Sequence, residues 1–316
     1  MEQKKATRDA FGEAILRMGR ENEDIVVLSA DLEDSTRTES FKNEFPERFF
    51  NLGIAEQDLL GTAAGLSMEG LIPFACSFAV FITNQAYGIL RISICYDNRN
   101  VKIIGSHAGI TVGPDGATAQ CLEDLAITRV LPNLTVLSPC DAVEATKATE
   151  AMAGIRGPVY MRLGRTAFPV ITAERDAFEI GKANVMREGK DVAVLATGLM
   201  VSESLKAARM LSEEGIEARV INIHTVKPID EDEIIRAARE TAAVVTAEEH
   251  QVHGGLGSAV AEVLACHSPV PVEMIAVRDI FGESGQPEEL LAKYHLTDTD
   301  IAEACRRVLR RKKEIG

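Results

Sequence analysis

The sequence predicts an α/β protein built of two doubly wound domains, each with a mostly parallel sheet covered on both faces. Three observations predict it. The chain has 316 residues, enough for two ordinary α/β cores. Short apolar runs alternate with stretches of helical period up to about residue 165. The alternation restarts at Asp191-Val192-Ala193-Val194-Leu195-Ala196-Thr197-Gly198, after a segment holding Pro169 and Gly181 that has no strong period. The expected division is a first domain over 1–165, a linker over 166–188 and a second domain over 189–316.

In the first half the candidate strands are Ile25 to Ser29, Phe49 to Leu52, Pro73 to Ser77, Val101 to Gly105, Leu134 to Leu137 and Pro158 to Arg162, with helices between them. A helix over 57–68 ends at Gly70, a usual stop. Residues 85–97 are apolar around most of the circumference, as in a helix sandwiched between layers. In the second half a strand at 191–198 leads to a helix ending near Gly215. There follow the strand Ala218 to Ile223, a helix after Pro228, the strand Ala243 to Ala247, a Gly-rich turn, another helix and the strand Val272 to Ala276. The turn His253-Gly254-Gly255-Leu256-Gly257-Ser258 offers exposed N–H groups to an anion at a helix start, although close backbone packing accounts for its glycines as well.

Composition narrows the function. Apolar residues make up 46% and charged residues 26%, which is a globular balance. No apolar run reaches membrane-spanning length, and MEQKKATRDAFGEA lacks the apolar stretch of a signal peptide, so the expected location is cytoplasmic. A net charge of −14 argues against nucleic acid as a partner but leaves small anionic substrates open. The six cysteines show no C-x-x-C or zinc-like spacing and read as reduced thiols. His250-x-x-His253 lacks a third ligand nearby, and the cations between Arg306 and Lys313 suit the end of a terminal helix, so neither is assigned a ligand.

Neither half carries a dinucleotide fingerprint or a Walker-type loop. Open α/β sheets bind ligands beyond the carboxyl ends of their strands. Asp31, Glu56, Ser77 and the loop from His107 to Gln120 all fall there. Taken singly, Glu56 is also what the first turn of a helix favours.

These residues and their neighbours resemble the C-terminal half of transketolase. The match runs from Ala6-Thr7-Arg8 through Ser29-Ala30-Asp31-Leu32, Gly53-Ile54-Ala55-Glu56-Gln57, Phe78 to Phe81, Ser106-His107-Ala108-Gly109 and Val112 to Gln120. It continues through Arg162-Leu163-Gly164-Arg165, His224 to Asp230 and Gly254-Gly255-Leu256-Gly257. It covers nearly the whole chain. The resemblance implies a pyrimidine-binding domain followed by a transketolase C-terminal-like domain, as in separately encoded C-terminal subunits.

In this family the glutamate at the Glu56 position hydrogen-bonds N1′ of thiamin diphosphate and favours the tautomer that removes the thiazolium C2 proton. The cofactor brings the carbon chemistry and the protein brings position and electrostatics. Such a carboxyl must be buried, and the neighbours Leu52 and Ile54 fit a raised pKa. Phe78 and Phe81 resemble the aromatic wall against the pyrimidine, and ordinary core filling explains them equally. Asp31 resembles an acid near the thiazolium. Arg8, Ser35, His107 and Arg165 match positions near the sugar-phosphate substrate, and a guanidinium fork suits phosphate oxygens. Asp115 matches an acid that reads a substrate hydroxyl, while Arg162 fits a structural ion pair.

Three positions depart from the family pattern. Asn84 replaces a common tyrosine, Pro114 a frequent acid, and Ala119 the histidine of D-G-x-T-H-Q, an imidazole worth about 1.5 to 3 kcal/mol to a substrate contact. The G-D-G…N motif that anchors diphosphate and Mg2+ is absent from the chain, so those ligands are expected from an N-terminal partner subunit in an α2β2 heterotetramer. The expected activity is transfer of a two-carbon ketol unit between sugar phosphates. A deoxyxylulose-phosphate-synthase-like subunit, a 2-oxo-acid dehydrogenase E1 β-like subunit and a non-catalytic regulatory partner remain as alternatives.

Overall fold

A computed structural model describes residues 3–315. Strand β1 (Lys4–Lys5) and helix α1 (Thr7–Glu21) lead into β2 (Ile25–Ser29), α2 (Glu39–Glu44), β3 (Phe49–Asn51), α3 (Glu56–Met68) and β4 (Ile72–Phe78). From Phe81 to Tyr96 the chain winds mainly in π turns, interrupted by the short α4 (Tyr87–Ile89). β5 (Lys102–Ser106), α5 (Asp124–Arg129), β6 (Thr135–Leu137), α6 (Ala142–Gly154) and β7 (Val159–Arg162) complete the first unit, and β8 (Phe168–Pro169) pairs back on β1. The second unit holds β9 (Asn184–Arg187), β10 (Val192–Ala196), α7 (Met200–Glu213), β11 (Ala218–Asn222), β12 (Thr225–Lys227) and α8 (Glu231–Thr241). It ends with β13 (Val244–Gln251), α9 (Leu256–His267), β14 (Val272–Val277), α10 (Pro287–Lys293) and α11 (Asp298–Ile315).

The first sheet runs β12-β6-β7-β5-β4-β2-β3, parallel throughout except for β12. Its strands are near-continuous apolar runs because both faces are covered. On β2, Val26 and Leu28 pack toward α3 and the π-wound helix, whereas Ile25 and Val27 pack toward α1 and α6. The second sheet runs β14-β13-β10-β11-β9, with only β9 antiparallel. Helices α7 and α11 cover one face and α8 and α9 the other.

Three features differ from what the sequence predicts. Residues 184–187, inside the segment expected as a linker, form β9, the antiparallel edge of the second sheet. Strand β12 follows β11 in sequence but crosses to the first sheet and pairs with β6. The helix read as sandwiched is covered on one side only, for Ile92 and Tyr96 are 57% and 81% exposed. Apolar residues around a whole circumference therefore do not mean burial around it here.

The Gly-rich turn does hold an anion, and the anion is the chain's own. Both Glu248 oxygens accept from the α9 N-terminus, from Leu256 N at 2.7 Å and Gly257 N at 2.8 Å. A Cβ on Gly255 would lie 2.0 Å from Glu248 Oε2, so only glycine fits the approach. The cations of α11 are likewise used internally: Arg306 pairs with Glu214, and Arg307 and Arg311 pair with Glu273.

A buried ion pair ties the units together. Arg162 Nε lies 3.0 Å from Asp124 Oδ2, which also accepts from Tyr160 Oη at 2.8 Å. The same guanidinium donates from Nη1 and Nη2 to the backbone O of Glu249 in the second unit, at 3.4 and 3.2 Å. Removing one partner of a buried pair strands the other charge. Arg162→Met should therefore lower stability by about 3 to 5 kcal/mol. Adding Asp124→Asn should recover part of that loss. Equilibrium urea unfolding checks both, and an unchanged midpoint in Arg162→Met would contradict the assignment.

Candidate active site

Between β2 and β4 the strand order turns: β3 lies on one side of β2, and the chain then crosses through α3 to β4 on the other. That switch opens a crevice beyond the carboxyl ends of the strands. Asp31 follows β2, Asn51 ends β3, Ser77 and Phe78 end β4, and Ser106 and His107 close β5. Glu56 opens α3 beside them.

The Glu56 side chain is 4% exposed. Its Oε1 accepts from Ser77 Oγ at 3.0 Å, and no donor among the described residues reaches Oε2. The burial does not come from the expected neighbours alone, because Ile54 is 85% exposed and points its apolar surface to the outside. Instead α3 lies on β4 and places the acid against Ser77. A buried carboxyl with one protein hydrogen bond has capacity left for a polar group from outside the chain.

Beside it stands an aromatic stack. The Phe78 and Phe81 rings lie 5.6 Å apart at 12°, and Phe78 lies 3.8 Å from the His107 ring at 19°. The near-parallel rings form an offset stack in which Phe78 and His107 are buried and Phe81 is the partly exposed member. Asp31 adopts a left-handed conformation, φ 61°, tolerated by an aspartate in a turn. Asn51 holds it, accepting from Asp31 N at 3.1 Å and donating to Asp31 Oδ1 at 3.2 Å.

A second cluster surrounds His107. Arg8 Nη1 donates to Ser35 O at 3.0 Å and to His107 Nε2 at 3.3 Å. Because Nε2 accepts, the proton sits on Nδ1, which lies 3.0 Å from Ser106 Oγ. Burial, followed by the charges of Arg8, Arg165 and Arg37, pushes the His107 pKa down to about 3, so the ring is neutral. Arg8 has Asp9 as its near counter-charge, 4.0 Å from Nε, yet burial and then Arg37 lower its pKa, and Nε is buried without a hydrogen-bond acceptor. Three guanidinium groups thus gather in one place on a chain of net charge −14.

Arg165 donates from Nη1 to Val112 O at 2.8 Å and pairs with Asp115 Oδ1 at 3.0 Å. Of the residues singled out in the sequence, Arg8, Ser35 and His107 form one bonded cluster, Arg165 and Asp115 form another, and Glu56, Phe78, Phe81 and Asp31 sit at or just beyond the ends of β2, β3 and β4. Ser35 takes part through its backbone oxygen. Ala119 is buried in the turn that follows Gly116 and brings no hydrogen-bonding side chain there. Asn84 donates to Glu123 Oε1 at 2.7 Å instead of facing the stack as a free polar group. Sequence alone does not single out Arg37, anchored on Asp9 at 2.7 Å, or Asn51, the tether of Asp31. Neither has a local signature; each matters through a neighbour distant in sequence. Among the described residues no group of three or more His, Cys, Asp or Glu side chains is placed to hold a metal ion.

The neutrality of His107 has a sign that can be measured. Its folded pKa lies below the unfolded value near 6.5, so the unfolded chain takes up a proton first and stability falls as pH drops from about 6.5 toward 3. Ring resonances of His107 should stay those of a neutral imidazole protonated on Nδ1 from pH 8 to pH 4. An NMR titration with a midpoint near 6.5 would contradict the buried, cation-flanked geometry.

Known proteins resemble the chain over nearly its whole length. The family model "Transketolase, pyrimidine binding domain" matches residues 3–170, and "Transketolase, C-terminal domain" matches residues 181–301. The chain is similar to 6-deoxy-6-sulfo-D-fructose transketolase subunit SqwH of Clostridium sp. (strain MSTE9), 42% identical over 96% of this chain and 95% of that one. It is also similar to a subunit of the apulose-4-phosphate transketolase of Phocaeicola vulgatus, 37% identical over 95% of this chain and 96% of that one. A solved structure described as a split gene transketolase, inactive beta4 tetramer, matches with a TM-score of 0.91 and 52% identity, covering 97% of this chain and 99% of that chain.

Proposed function

The chain belongs to the transketolase family, and we propose that it is the C-terminal subunit of a two-chain transketolase that moves a two-carbon ketol unit between sugar phosphates. On this reading residues 1–165 form the pyrimidine-binding domain and 189–316 the C-terminal domain, joined by 166–188. The observation that carries it is the Glu56 carboxyl, buried at the switch of the sheet, satisfied by Ser77 on one oxygen only and set beside a planar aromatic stack.

Thiamin diphosphate, when bound, supplies the nucleophilic carbon that carries the two-carbon unit. The residues present suit its pyrimidine end. Glu56, largely buried and with one oxygen free of protein donors, would meet the pyrimidine N1′. Phe78 and Phe81 would pack against the ring, and Asp31, fixed by Asn51, would lie toward the thiazolium. Arg8, Ser35, His107, Asp115 and Arg165 bind the sugar phosphate. Arg8 brings the donor that lacks an acceptor, and an anion placed there relieves the crowding of three guanidinium groups. Once Arg8 turns to a phosphate, the His107 Nε2 lone pair is free to accept from a sugar hydroxyl.

The diphosphate and its Mg2+ fall to an N-terminal partner subunit, since the chain carries no motif to anchor them. Exposed Ile54 beside Glu56, and exposed Ile92 and Tyr96 on the helix packed against α3, support docking of that partner over the crevice. The inactive beta4 tetramer of the split-gene neighbour supports the need for a second chain, and two-fold closure of two such pairs makes an α2β2 heterotetramer. We place the enzyme in the cytoplasm and its substrates among the pentose phosphates. Six free cysteines support the first, and no helix among the described residues is long and apolar enough to cross a membrane.

With its N-terminal partner, thiamin diphosphate and Mg2+, the chain should transfer a ketol unit from D-xylulose 5-phosphate to D-ribose 5-phosphate. Glu56→Gln should lower that rate at least about a hundredfold while leaving thermal unfolding unchanged. Wild-type rates in Glu56→Gln would contradict the role of the acid, and carbon dioxide released from pyruvate would move the chain to a deoxyxylulose-phosphate-synthase-like or E1 β-like activity.

A further inference from the structure

The loop from His107 to Gln120 leaves the first sheet and rests on the second domain. At its start Thr111 N donates to Glu249 Oε1 on β13, at 2.5 Å. Gly109 abuts the same carboxyl so closely that a Cβ there would meet it at 2.2 Å, and its φ of 85° is open to glycine. At the loop's end Gln120 Nε2 donates to Ile110 O at 3.0 Å and across the domains to Glu283 O at 2.9 Å. Between these points Thr166 Oγ1 donates to Thr111 O at 2.8 Å, and Arg165 donates to Val112 O. The Thr111 peptide is thus held on its N–H by the second domain and on its carbonyl by the segment that carries Arg165.

Glu249 is itself held rigidly. Its backbone O receives the Arg162 guanidinium, and its side chain lies in a protein interior where burial pushes the pKa up to about 7. An apolar side chain of the same volume would fill that space at lower desolvation cost. What the carboxyl adds is a counter-charge near Arg162 and an acceptor for the loop amides, above all Thr111 N.

We propose that Glu249 is a positioning residue of the C-terminal domain, whose carboxyl fixes loop 109–112 and through it the placement of His107 and Arg165 at the substrate site. The holding of the loop stands on the contacts alone; what the two positioned residues bind rests on the transketolase reading above. The C-terminal domain thereby shapes the site without contributing a group to the crevice itself.

Two variants separate this role from simple packing. Glu249→Met keeps the volume and removes the acceptor, whereas Glu249→Gln keeps an acceptor oxygen. In hydrogen–deuterium exchange of the full chain, peptides covering 109–119 should exchange about tenfold faster in Glu249→Met, the loss of one good hydrogen bond, and like wild type in Glu249→Gln. Peptides of β2 and β4 should be unchanged in both. In the complex with the N-terminal subunit, thiamin diphosphate and Mg2+, KM for D-ribose 5-phosphate should rise about tenfold in Glu249→Met with kcat within about threefold, and Glu249→Gln should restore it. Unchanged loop exchange in Glu249→Met, or equal behaviour of the two variants, would overturn the proposal. Faster loop exchange in Glu249→Met, with a wild-type complex that does not turn over these sugars, would count against the transketolase reading and leave the loop assignment standing.

Discussion

The structure is arranged around one largely buried acid, Glu56, at the carboxyl end of the first sheet. Burying a carboxyl costs free energy unless hydrogen bonds replace water, and the fold gives Glu56 only Ser77. Around this acid stand an aromatic stack, a cationic cluster one strand further along, and an apolar rim at Ile54 that nothing among the described residues covers. In the folded chain one oxygen of that carboxyl has no protein donor among the described residues, and the Ile54 side chain is exposed.

The two domains are not independent beads. Strand β12 is borrowed from the second unit to extend the first sheet, and Arg162 bridges Asp124 of one unit to the Glu249 carbonyl of the other. The loop that carries His107 and Asp115 is clamped between them. Left-handed conformations at Asp31 and His107 are costly for residues with side chains, and each is held by several contacts: Asp31 by Asn51, His107 by Ser106, Arg8 and the Phe78 ring. Strain of this kind persists only where the surroundings over-determine it, as these contacts do at Asp31 and His107.

Much of this was legible in the residues. The parallel strands are continuous apolar runs because helices cover both faces, and such runs stand out in a sequence. The acid at the start of α3 and the loop after β5 follow from the strand ends alone. β9 and β12 did not show because short antiparallel edge strands carry no strong period and pair with partners far along the chain. The exposure of Ile54, Ile92 and Tyr96 was hidden for the opposite reason: apolar periodicity reports what can be buried, and an exposed apolar side chain reads like a core one. Glu249 and Arg37 had no signature, since each acts through residues more than twenty positions away. Ala119 was visible in the sequence as a missing imidazole, and in the fold it is a buried methyl with no polar replacement in its turn.

The most direct measurement is a structure of this chain assembled with its N-terminal subunit, thiamin diphosphate and Mg2+. A Glu56 carboxyl oxygen is expected within about 2.7 to 3.2 Å of the pyrimidine ring nitrogen, with the Phe78 and Phe81 rings against the pyrimidine and the diphosphate held by the other chain. A cofactor bound away from α3, or a Glu56 side chain left facing water in the assembled enzyme, would contradict the role given to this acid.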